Sequence, residues 1–114
     1  MKRFMISFNH GDMKFPMSEL PQVAEDSHKV VREAKLAGVW IFGGGFFEDK
    51  PVVVNENLEV VTGPLAPSEV RLGGFSVIEV ETKEEAYLWA SKIAKGCRCP
   101  QEVREMIFDP ESTN

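Results

Sequence analysis

Two stretches of this sequence carry apolar residues at helical spacing, and each lies between segments rich in alternating, β-branched or aromatic residues. That order restricts the chain to helices laid against a sheet. In the first stretch Leu20, Val23, Val30, Val31, Ala34 and Ala37 share one face, and Gly38 supplies the left-handed residue that commonly closes a helix. Ser18 is placed to cap it, and Pro21 falls in the first turn, where its missing N–H costs little. The spacing predicts a helix over 19–37. In the second stretch Thr82-Lys83-Glu84-Glu85 is a capping box, Ala86, Trp89, Ala90 and Ile93 form the apolar stripe, and Gly96 is the expected stop.

The strands fall around these helices. Residues 3–8 alternate, with Phe4, Ile6 and Phe8 on one face, and Val39-Trp40-Ile41-Phe42 is apolar on both, as a strand covered on both sides would be. Gly43-Gly44-Gly45 then ends or bends it. Residues 51–54 and 58–61 flank Asn55-Glu56-Asn57 and predict a hairpin. Residues 74–80 and 102–108 complete the set. The resulting order, βαββαβ with an inserted hairpin, predicts an α+β protein of ferredoxin-like arrangement. At 114 residues one domain is expected, over 1–109, with 110–114 a tail. Helices can cover only one face of such a sheet, yet its strands are apolar on both. A second copy is the expected cover, which predicts a homodimer.

The net charge is -5 and no basic cluster interrupts it, which argues against nucleic acid or an anionic membrane as partner. The apolar run near Met1 is too short for a signal-peptide core, and no run approaches the ~20 residues of a membrane span. Two cysteines with one residue between them suit a reducing cytoplasm. A cytoplasmic location is expected.

The stretch Leu72-Gly73-Gly74-Phe75-Ser76-Val77-Ile78-Glu79-Val80, then Glu84-Glu85-Ala86-Tyr87-Leu88-Trp89-Ala90, and later Glu102-Val103-Arg104, resembles the YCII-related family. The resemblance is closest to a subgroup with an Asp-Gly-Pro-Phe motif before "LGG", and it extends over nearly the whole chain. It implies a dimeric α+β barrel, with a cavity between helices and sheet or at the dimer interface. Some relatives have a proposed His–Asp pair and are linked to lactone or dehydratase chemistry. Here the motif reads Thr62-Gly63-Pro64-Leu65, so the carboxylate is replaced by a hydroxyl that cannot stabilise an imidazolium.

Histidine is the residue type suited to proton transfer near neutral pH, and His28 lies on the first helix near the family's helix histidine. It is the candidate proton carrier, with Asp12, or else Asp49, as the carboxylate that could join it; the plainer alternative is a boundary histidine. His10, Thr62 and Arg71 are candidate ligand contacts, Arg71 as an anion anchor. Trp40, Phe42, Phe46 and Phe47 either line an apolar pocket or fill the core. Glu79 and Arg104, if aimed at a covered sheet face, would be paired or functional. Cys97-Arg98-Cys99-Pro100 lacks the ligands for structural zinc and the usual spacing of a redox pair, though Arg98 could activate a thiol. The triple glycine fits no phosphate loop. No metal and no cofactor is expected. Two functions follow: a cofactor-free acid–base enzyme acting on a small organic acid or lactone, or a non-catalytic metabolite-binding or accessory module.

Overall fold

In the computed structural model, which describes residues 1–113, eight helices and strands follow one another. They are β1 (Lys2–Asn9), α1 (Leu20–Leu36), β2 (Trp40–Gly45), β3 (Val52–Val54), β4 (Val60–Thr62), β5 (Leu72–Val80), α2 (Lys83–Cys97) and β6 (Glu102–Glu105). Short 3-10 turns occupy Met17–Glu19 and Pro110–Ser112. The expected tail therefore contains a turn, in which the Asp109 carboxylate accepts from the Glu111 N–H; Asn114 lies outside the described residues. Among the described residues no helix is long and apolar enough to cross a membrane.

The fold is α+β. Strands lie in the order β2-β5-β1-β6, each neighbouring pair antiparallel, while β3 and β4 form a separate two-stranded sheet. Cross-strand partners share a face, so the register sorts the side chains. Phe4 opposite Ile78, and Ile6 opposite Ser76 and Val103, face the helices. There Phe4, Ile6, Ile78 and Val80 join Ala86 and Ala90 of α2 in the core, with Trp40, Trp89 and Ile93 packed at its margin. Met5 opposite Val77, Ser7 opposite Phe75, and Arg3 opposite Glu79 occupy the other face, away from the core residues of α2.

Glu79 and Arg104 sit on this open face and are paired, with Arg3 at 2.8 Å and with Glu102 at 3.2 Å. Ser7 beneath Arg104 is only 2% exposed.

The caps explain where the helices run. At the end of α1 the Gly38 N–H bonds Lys35 O and the Val39 N–H bonds Ala34 O, with Gly38 left-handed at φ 74°. Thr82 caps α2 as its capping box predicts, accepting from the Glu85 N–H at 3.2 Å. Two expectations are corrected. Ser18 lies within the 3-10 turn and caps nothing; the α1 N-cap is Glu19, with no side-chain cap bond, because the turn that starts at Pro16 already leads the chain into the helix. Gly96 does not stop α2. A Cβ there would meet Asp26 O at 3.2 Å, so it is the point where the helices approach closely, and left-handed Arg98 ends α2 instead.

Three strand expectations are also corrected. β2 includes the triple glycine and is an edge strand, so Ile41 and Phe42 are exposed rather than covered on both sides. A bulge between Trp40 and Phe42 sets Trp40 against Ile78 and Phe42 against Val77, on opposite faces despite their spacing of two. β6 ends at Glu105, three residues short of the expected end.

Among the described residues the β3–β4 hairpin lies clear of every other helix and strand. It begins the pairing at Val52–Thr62, and its loop is a three-residue turn, Glu56 to Leu58, closed by Asn55 and Glu59. The radius of gyration, 15.8 Å, exceeds the ~13 Å of a compact chain this size, and the molecule is only 20 Å thick. Two layers with a projecting arm have those dimensions.

Candidate functional site

The helix side of the sheet is not filled to its end. Past the core, α1 and β2 bound a cleft of about 400 Å³, within the ~300 to 1,000 Å³ of small-molecule sites. Its helix wall is Ser27, His28, Val31 and Lys35; Ser27, Val31 and Lys35 are four apart and His28 lies three before Val31, so they share one side of α1. His28 and Lys35 stand about 10 Å apart along the axis. Cys97 and Ile93 of α2 and Gln101 close the inner end.

The floor is glycine, and that is why a cleft exists. A Cβ on Gly43 would lie 2.8 Å from the Trp40 ring and from Phe75 O, and one on Gly74 would lie 2.9 Å from the Phe8 ring and from Gly44 O. Both aromatic rings therefore rest directly on the backbone. The cleft combines two aromatic walls with a line of polar groups above them.

The ionisable side chains of the cleft wall are Lys35, His28 and the Cys97 thiol, and no Asp or Glu lines it among the described residues. An anionic ligand with an apolar body matches this lining, since its charge meets a cation and its body meets the rings.

The candidate residues separate into three places. His28 is in the cleft wall, exposed and without a side-chain hydrogen bond. His10 and Arg71 meet at one end of the sheet, where the His10 N–H donates to Arg71 O at 2.8 Å; His10 Nε2 is buried without a hydrogen-bond partner. Asp12 is exposed in the turn after β1, outside the cleft lining, and its charge is felt at Cys99. Thr62 ends β4 on the projecting arm, opposite Val52, and Asp49 lies in the loop that leads into that arm. The fold therefore joins the main chains of His10 and Arg71 and sets His28 apart from Thr62. Of the candidate aromatics, Trp40 lines the cleft, while Phe42 and Phe46 each lie 5.8 Å from the Phe75 ring. Sequence reasoning overlooked Lys35 and Ser27. Their spacing of four on either side of Val31 was the available signal.

Both cysteines are free and buried. Burial pushes the Cys99 thiol up from 9.0 to about 11, and the neighbouring Cys97 and Asp12 add to the effect. Activation of this thiol by Arg98 is thus corrected: the guanidinium donates to Lys95 O, Gly96 O and Asp26 Oδ2, the last at 2.7 Å. It serves the end of α2 and ties the helices together. The same bond, with one from Gln22, holds the Asp26 carboxyl below the usual carboxylate range. Among the described residues no group of three or more metal-ligating side chains forms.

No known family model matches the chain, and no curated protein does.

Proposed function

We propose that this chain binds a small organic acid with an apolar, ring-like body in the cleft between α1 and the sheet. The observation that carries the reading is the lining itself: Trp40 and Phe8 resting on glycine below, Lys35 and His28 above, and no carboxylate among them. Binding rather than turnover is favoured because nothing on the cleft wall is placed to orient an imidazolium as a carboxylate would. The acid–base reading keeps one support, the unbonded His28 side chain in the same wall.

Strand order β2-β5-β1-β6 with two helices on one face supports a ferredoxin-like arrangement, and through it the YCII-related resemblance. On the open face Met5, Phe42, Phe75 and Val77 form an apolar strip rimmed by the Arg3–Glu79 and Arg104–Glu102 pairs. An apolar centre with a charged rim suits a homodimer that stacks this face on its copy, as in a dimeric α+β barrel. Two free thiols support a reducing, cytoplasmic setting.

The test is an amide NMR titration with benzoate, and with benzyl alcohol as the uncharged counterpart. Benzoate should shift Gly43, Gly44, Gly45 and the Trp40 indole, more strongly than the alcohol, and Lys35→Met should weaken benzoate about tenfold or less. Shifts that avoid these glycines, or equal binding of both probes, would contradict the reading. His28→Ala separates the two functions: intact affinity with unchanged ligand leaves no work for an acid–base residue.

A further inference from the structure

A two-stranded hairpin is at best marginally stable in water, and this one has no helix or strand of its own chain to lean on. It is nevertheless apolar on both faces, with Val52, Val54, Val60 and Val61 all exposed. The flanking segments are alike, for Phe47 and Leu65 are also bare. Leu58 at the tip is 81% exposed and sits in a left-handed backbone at φ 65°, a conformation costing a non-glycine residue roughly 1 to 2 kcal/mol. Glycine would relieve that cost, whereas leucine there presents an apolar side chain to solvent.

This apolar surface does not stop at the arm. Phe46, at its root, stacks on Phe75, which also meets Phe42, and Phe75 and Phe42 belong to the open sheet face with Val77 and Met5. Phe46 thus carries the apolar surface of the open face to the start of the segment that leads into the arm. Eight apolar residues of the arm and its flanks are about half to nine-tenths exposed, from Phe46 at 47% to Phe47 at 90%, an accessible surface comparable in scale with the ~800 Å² per partner of a stable interface.

We infer that the Pro51–Thr62 arm clasps a second copy of this chain, each protomer's arm laid over the other, so that the arm completes the interface begun by the open face. The inference rests on the homodimer reading above and adds to it a specific part for the hairpin. A second copy is the occupant because it brings an equal uncovered face and an equal uncovered arm, which a two-fold axis satisfies together.

The test is sedimentation of the full chain at micromolar concentration, as wild type and as the double variant Val52→Lys, Val60→Lys, whose side chains are exposed in the monomer and tolerate charge there. A second measurement records contacts between isotope-labelled and unlabelled protomers in a mixed dimer. The expected result is a wild-type dimer, a dissociation constant raised at least tenfold in the variant, and contacts from arm valine methyls to the partner. A dimer unaltered by the charges and without arm contacts overturns the inference and leaves the face-to-face dimer standing. A wild-type monomer overturns both, and leaves ligand binding in the cleft as it was.

Discussion

At the scale of the residue, the unusual positions have separate causes. Arg98 adopts a left-handed conformation at φ 62°, but its guanidinium returns two bonds to the end of α2 and one to Asp26, which offset the cost. Leu58 has no such return within its own chain. Leu58→Gly is therefore expected to stabilise the isolated fold by up to about 1 kcal/mol and to weaken self-association, both read from denaturation at two protein concentrations. Cys99 gives a pH prediction. Its thiol is protonated more firmly in the folded state, so the contribution is full below its ordinary 9.0 and is lost as pH rises toward about 11. Alkylation should leave Cys99 untouched near neutral pH and reach it only in that alkaline window or on unfolding, as mass spectrometry would record; fast neutral labelling would refute its burial.

Elements are held by caps and crossings, and these were partly legible. Thr82 and Glu85 announced the start of α2 because a capping box is local chemistry, fixed by residues three apart. Thr82→Ala should cost about 1 kcal/mol in urea unfolding. Gly96 misled for the opposite reason: its purpose is to admit α1 at close range, a long-range contact that no neighbouring residue signals. The bulge at Ile41 was equally hidden, since hydrophobic residues on both sides of an edge strand look the same with or without it. Asp26 links the two helices through Arg98, and its carboxyl is held low. A lowered folded value means that its stabilisation is present above the ordinary carboxylate range and is lost as pH falls through the folded value. Asp26→Asn should flatten the acid limb of the stability curve; an unchanged limb would mean the bond does not persist in solution. On the sheet, Gly74→Ala must push the Phe8 ring or the Gly44 carbonyl aside, costing roughly 1 to 3 kcal/mol and narrowing the cleft. Loss of benzoate shifts beyond the loss of stability would report that narrowing.

The whole molecule has two sides of different character. Its α+β order could be read from alternating and helical periods, because each element announces its own period. The cleft could not, because it depends on Phe8 of β1 coming to rest on Gly74 of β5 and on α1 being set beside the β2 glycines, both of them long-range placements. His28 was marked in advance as a residue of interest, while the groups that share its wall, Lys35 and Ser27, emerged only from the fold. The arm was anticipated as a hairpin but not as a freestanding one, since nothing local says whether a hairpin will find a neighbour. On the proposed reading the surface divides into a cleft for a ligand and an arm and sheet face for a second copy. Leucines provide the internal comparison, because Leu36 and Leu88 are 90% and 67% exposed on the helices while Leu58 and Leu65 are 81% and 86% exposed on or beside the arm. The most direct test is the broadening of leucine methyl signals by a soluble paramagnetic agent. Strong broadening of Leu36 and Leu88 with Leu58 and Leu65 shielded is the predicted result, and equal broadening of all four would contradict it.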